Sequence, residues 1–63
     1  MTIAEKKIIA FGWEKTAVAV GVSRASLYNY LHRPTRMQVD KLLKFNEIGI
    51  EYTDFITETE KES

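Results

Sequence analysis

Apolar positions recur along this chain in short runs at helical intervals, separated by glycine, proline and capping residues. Ala4, Ile8 and Phe11 form an i, i+4, i+7 stripe that Ile9 broadens. Ahead of it, Thr2-Ile3-Ala4-Glu5 reads as a capping box, in which the Thr2 hydroxyl and the Glu5 carboxylate satisfy free amides at a helix start. Gly12 closes the run, so the first helix is predicted from Ile3 to about Phe11. A second helix is predicted from about Glu14 to Val20; it is rich in β-branched residues, so packing rather than intrinsic propensity must hold it. Ser23 is a good N-cap for a third helix over 24–32, in which Leu27 with Tyr30 and Leu31 recurs at i, i+3 and i+4. Pro34 disfavours helix at Arg33. Thr35 to Gln38 repeats the capping-box pattern and predicts a fourth helix, with Met37, Leu42, Leu43 and Phe45 among its apolar positions and Gly49 beyond its end. The next segment has two periodicities: Ile48, Ile50 and Tyr52 alternate as in a strand, while Tyr52, Phe55 and Ile56 recur as in a helix. We assign it a short helix. Residues 57–63 contain no apolar side chain and predict a disordered acidic tail. The pattern therefore predicts an all-α fold, a compact bundle of four to five helices over 1–56.

Within it, residues 13–32 meet the constraints of two helices that cross steeply over a short turn. A small residue is needed where the second helix crosses the first, and Ala17 is there. Four residues later the chain must leave the helix with φ > 0, which favours glycine, and Gly21 is there. Val22 follows as an apolar plug, and the Leu27 face returns to the core. This is the spacing of a helix-turn-helix, a unit that presents its second helix to the major groove of DNA.

Charge changes the picture once it is divided along the chain. The formal net charge is zero, but residues 1–46 carry eight Lys or Arg against three acids, net +5, and residues 47–63 carry one Lys against six acids, net −5. A basic body with an acidic tail is the pattern of a domain that meets polyanion on one face; ordinary surface charge explains it equally well. With 63 residues the chain has little room for a deep catalytic cleft, and it has no cysteine, which excludes disulfides, thiolate metal sites and cysteine nucleophiles. His32 is the lone histidine, and neither a metal-ligand cluster nor a glycine-rich phosphate loop is present. The expectation is no enzyme, no metal, no cofactor and no small-molecule ligand. No apolar run reaches membrane-span length and no signal-peptide pattern opens the chain, so a reducing cytoplasm is expected.

If Leu27 faces inward, Arg24, Ala25, Tyr28, Asn29 and His32 face outward. An arginine can donate two parallel bonds to guanine O6 and N7, an asparagine amide can pair with adenine N7 and N6, and the Ala25 methyl can meet a thymine methyl. Tyr30 belongs with the core and Tyr28 with the exposed face, where an aromatic ring is suited to sugar or phosphate. Phosphate contacts, which supply affinity without sequence information, are expected from Lys15, Ser23, His32, Arg33, Thr35 and Arg36. Thr35 is equally well explained as a helix cap. Trp13 divides in the same way, between an indole N–H to phosphate and a core position.

The stretch resembles the Cro/C1-type helix-turn-helix repressor family of phages and bacteria, on Phe11-Gly12-x-x-Lys15-Thr16-Ala17 through Gly21-Val22. Leu42-Leu43-Lys44 and Gly49-Ile50-x-x-x-Asp54-Phe55 look like the fourth and fifth helices of its all-α members. The resemblance spans about residues 3–56. It implies a homodimer on a palindromic operator in a bacterial or phage setting, with Arg24, Ala25, Tyr28 and Asn29 at the base-reading positions. Trp13 departs from the glutamine often found there, so that residue's phosphate contact is not carried over. The segment 23–31 also looks like the recognition helix of TetR-type regulators and of resolvase tails, which belong to much longer proteins; a complete small repressor is the expectation here.

The leading expectation is therefore a sequence-specific DNA-binding transcriptional regulator, acting as a repressor. The apolar residues Ile48, Ile50, Tyr52, Phe55 and Ile56 either form its dimer surface or complete a very small core. The competing expectation is a protein-interaction module on the same fold, antirepressor-like or antitoxin-like, with the acidic tail as its working part.

Overall fold

A computed structural model describes residues 1–59. It is all-helical: α1 (Ile3–Phe11), α2 (Trp13–Val20), α3 (Arg24–His32), a single 3-10 turn (Pro34–Arg36), α4 (Val39–Glu47) and α5 (Tyr52–Ile56). No strand longer than an isolated bridge occurs among the described residues.

Each helix contributes one or two side chains to a shared core. Ala4 and Ile8 come from α1, Ala17 and Val20 from α2, Leu27 from α3, Phe45 from α4 and Phe55 from α5, with Ile50 from the loop between the last two. Phe45 sits at the centre, with the Tyr30 ring edge-on at 6.1 Å and the Phe55 ring edge-on at 5.1 Å, an arrangement that sets positive ring edges against negative faces. Trp13, Val22, Leu31, Met37 and Ile48 close around this cluster.

The first helix starts at Ile3 as predicted, with half of the expected capping box: Thr2 Oγ1 accepts from the Glu5 amide at 3.2 Å, while the Glu5 carboxylate makes no return bond to the helix start. Gly12, at φ +114°, both ends α1 and begins α2, so α2 opens at Trp13 rather than Glu14. The Gly12 carbonyl accepts from both the amide and the hydroxyl of Thr16, each at 2.8 Å. That second bond satisfies the fully buried Thr16 side chain, a buried polar group the periodicity did not single out. Phe11 and Ile9 differ from the predicted stripe: both are exposed. The chain reverses at Gly12 immediately after Phe11, which lies past the end of the core and lines a shallow groove with Val18 and Ala19 instead.

The fourth helix also differs from its prediction. Thr35 caps nothing; Pro34 opens a 3-10 turn, Met37 is extended (φ −72°, ψ 134°), and α4 begins only at Val39. From this extended backbone the Met37 side chain packs on the core. On α4, Phe45 is buried and Leu42 half-buried, while Val39 and Leu43 face solvent.

Gly49, at φ +86°, turns the chain out of α4 and into α5, which resolves the double periodicity of 48–56 in favour of a helix. The consequence for the apolar residues of this segment is a correction. Ile50 (1% exposed) and Phe55 (2%) are core residues and are not available to a partner surface, because so small a chain needs both to close its interior. Ile56 is 58% exposed, and Ile48 and Tyr52 are half-buried.

Lys7 ties α1 to this corner, its ammonium donating to the Gly49 carbonyl at 2.9 Å and to Asp54 Oδ2 at 2.7 Å; the same carboxylate oxygen accepts from the Glu51 amide at 3.0 Å. Burial pushes the Asp54 pKa up, but the Glu51 amide and the Lys7 charge outweigh it and hold the value below the usual 3.8. A carboxyl whose folded pKa is lowered stabilises the fold above its unfolded value, and that stabilisation disappears as pH falls through the folded value. Asp54→Asn should therefore cost about 1 kcal/mol at pH 7, with Lys7 discounted for its exposure. Urea melts should show the gap between the variant and the parent closing as pH falls below the ordinary carboxylate range; a gap independent of pH would refute the assignment.

Residues 57–59, at the start of the predicted tail, pair with the beginning of the chain. The Ile3 amide donates to the Thr57 carbonyl at 2.9 Å, the Thr59 amide donates to the Met1 carbonyl at 3.0 Å, and the Met1 ammonium lies 3.1 Å from a Glu58 carboxylate oxygen. Residues 60–63 of that tail lie outside the described residues.

Candidate nucleic-acid interface

The surface of interest is built by α2, the turn over 21–23, and α3. At the end of α2 the amides of Gly21 and Val22 both donate to the Ala17 carbonyl, at 2.8 and 3.0 Å, and Gly21 adopts φ +83°. A six-residue closure with a left-handed residue inside it is how a helix ends sharply enough for the next to cross it. Val22 then packs on the core, and Ser23 Oγ accepts from the Ser26 amide at 3.2 Å to start α3. An added Cβ at Gly21 would meet nothing within 4 Å, so Gly21→Ala pays only for left-handed backbone. The expected loss is about 1–2 kcal/mol, with Gly21→Asn less affected because asparagine tolerates that conformation; denaturant midpoints of the two variants check the order.

Leu27 is fully buried, with Tyr30 and Leu31 half-buried beside it, and this fixes the rotation of α3. Arg24, Ala25, Tyr28, Asn29 and His32 are all exposed. At 100° per residue they occupy an arc of about 140° on one face of the helix.

The phosphate candidates are distributed less evenly. Arg33 and Arg36 line one concavity of about 430 Å³ together with Asn29 and Tyr30, so two guanidinium groups stand at the C-terminal end of the exposed α3 face. Thr35 is exposed on the 3-10 turn between them. The Ser23 hydroxyl is committed to its cap, accepting from the Ser26 amide and donating to Ser26 Oγ at 3.2 Å. His32 Nδ1 lies 2.8 Å from the Tyr28 carbonyl, a contact that requires the proton on Nδ1. Its Nε2 can then donate to a phosphate only when the ring carries a second proton. Lys15 lines the groove with Phe11 and Val18 and does not join the concavity formed by the two arginines.

From Lys15 to Val39 the chain contains four Lys or Arg and no acidic residue; Glu14, in the first turn of α2, and Asp40, in the first turn of α4, bound this stretch. Asp54 and Glu58, by contrast, are paired with Lys7 and the amino terminus. No group of three or more His, Cys, Asp or Glu close enough to hold a metal ion occurs among the described residues, and none of the described helices is long and apolar enough to cross a membrane.

One feature of this surface is not visible in local sequence patterns. The Trp13 indole, at the first position of α2, stacks on the Tyr28 ring of α3 with centroids 4.7 Å apart and planes inclined by 23°. Trp13 is half-buried against the core, so its division between core and surface is resolved as a share of each. The sequence clue was that Trp13 lies four and seven residues before Ala17 and Val20, and therefore on the side of α2 that packs inward. Nothing in the spacing alone identified Tyr28 as its partner.

No protein-family model, curated protein or solved structure matches this chain.

Proposed function

We propose that the chain is a sequence-specific DNA-binding transcriptional regulator in which α2 and α3 act as a helix-turn-helix and α3 enters the major groove. The observation that carries this reading is the exposed face of α3: a guanidinium, a methyl, an aromatic ring and a carboxamide within one arc that ends at two arginines, in a stretch with no acidic residue between Lys15 and Val39. Arg24 pairs with guanine O6 and N7, Asn29 with adenine N6 and N7, and Ala25 meets a thymine methyl. Arg33 and Arg36, with Thr35 between them, engage the phosphates that set the register of α3 on the duplex. A module this small gains affinity by acting as a homodimer on a palindromic operator, with half-sites about 34 Å apart on one face of the DNA. Of the apolar residues first considered for the dimer surface, Ile56, with Ile48 and Tyr52 at its margin, remains able to meet a partner. Repression follows from occupying DNA that a polymerase must also use.

A second reading, a protein-interaction module, is favoured by the exposed apolar groove of Phe11, Val18 and Ala19, where Val18 is 77% exposed. Amide chemical shifts of the labelled chain titrated with duplex DNA separate the two. The DNA reading expects shifts concentrated in residues 23–36. Shifts absent from that stretch at every duplex concentration would refute it and direct attention to the groove.

A further inference from the structure

Tyr28 lies inside the exposed α3 arc, about 40° from Arg24 and about 100° from Asn29, the two residues assigned to base edges above. A side chain that lies between two that reach base edges is directed at the groove floor rather than at the sugar–phosphate backbone. An exposed tyrosine would ordinarily sample several rotamers there and lose that freedom on binding. Here one face of its ring is covered by the Trp13 indole at 4.7 Å, and Trp13 is itself anchored against the core. Tyr28 remains 44% exposed, so an open surface is held in place before any ligand arrives. Ala25, three residues earlier, adds a methyl on the same side of the helix.

We infer that the Tyr28 ring, positioned by Trp13 and extended by Ala25, is an apolar reader of the C5-methyl group of a pyrimidine in the major groove. The inference rests on the DNA reading above and assigns Tyr28 to a base rather than to sugar or phosphate. A C5-methyl is the one apolar group that base pairs present in that groove, and it distinguishes thymine from cytosine and from uracil. Thymine and 5-methylcytosine offer the same group. Trp13 touches no base; it is a positioning residue, and the stack is what converts a mobile ring into a surface of defined place.

The test starts from the duplex that the full chain selects out of random DNA. Each thymine is replaced in turn by deoxyuridine, and each cytosine by 5-methylcytosine, with affinity read by anisotropy. Removing the contacted methyl should weaken binding about fourfold, the value of one buried methyl or methylene group. Loss with deoxyuridine identifies thymine as the source, and gain with 5-methylcytosine identifies a methylated site. Tyr28→Phe should retain the discrimination and Tyr28→Ala should abolish it. Trp13→Ala should bring the ratio of thymine to uracil affinity close to one, and Trp13→Phe should restore most of it. Because Tyr28 is exposed, Tyr28→Ala reports even if Trp13→Ala fails to fold. Methyl discrimination that Tyr28→Ala leaves unchanged at every position, or a selected duplex indifferent to every methyl removed or added, overturns this inference alone. Failure to select any duplex overturns the DNA reading and this inference with it.

Discussion

Phe45→Ala should remove most or all of the stability of this domain. Phe45 is fully buried and its ring meets those of both Tyr30 and Phe55, so its truncation leaves a cavity bordered by α3 and α5. Phenylalanine-to-alanine changes in such positions cost about 3–5 kcal/mol. A chain of 63 residues has roughly 3–9 kcal/mol in total. Thermal denaturation followed by circular dichroism should show either no cooperative transition or a midpoint lowered by at least about 12 °C. Leu43→Ala, two residues earlier on the same helix but solvent-exposed, should shift stability by no more than about 0.5 kcal/mol. Equal effects from the two substitutions would mean that α4 packs in a different rotation, and with it the whole placement of the core.

The second large effect concerns recognition. Arg24→Ala should reduce discrimination at one base pair of the preferred duplex by about 1–3 kcal/mol, because it removes a bidentate base contact, while leaving binding to random DNA nearly unchanged. Arg36→Ala should weaken binding to all sequences and lower the slope of log affinity against log salt by about one unit, because it removes a phosphate contact. The distinction follows from where the two guanidinium groups stand: Arg24 at the start of the exposed α3 face, and Arg36 beyond its end, in the concavity shared with Arg33. Titrations of cognate and scrambled duplex at several salt concentrations separate the two patterns. If both variants lost affinity equally for both duplexes, Arg24 would be acting as a general cation and α3 would not be reading bases.

The parts of this fold that were legible in the sequence are those determined by local chemistry. Thr2, Gly12, Gly21 and Ser23 act within a few residues of their own positions, as caps or as left-handed turns, and they delimit α1 to α3 closely. The rotation of α3 followed from Leu27 because one fully buried residue fixes which side of a helix faces out. What was not legible depended on contacts between distant segments. Thr35 and Gln38 have the composition of a capping box, but Pro34 and the inward turn of Met37 impose a 3-10 turn and delay α4 to Val39. Ile50 and Phe55 are apolar residues that would suit a core or an interface equally; the closure of a very small interior decides between them. Phe11 continues a helical stripe in sequence and leaves it in space, because the chain turns at Gly12. The candidate surface divides in the same manner. Its exposed α3 residues were readable from periodicity, whereas the Trp13–Tyr28 stack joins residues fifteen apart on different helices.

Selection of bound sequences from random duplex DNA at about 150 mM salt, followed by titration of the winner against a scrambled duplex, bears most directly on the function assigned to α3. The expected result is a two-fold-symmetric motif bound at least roughly a thousandfold more tightly than scrambled DNA. Recovery of no common motif, with weak binding that is abolished by salt, would contradict it.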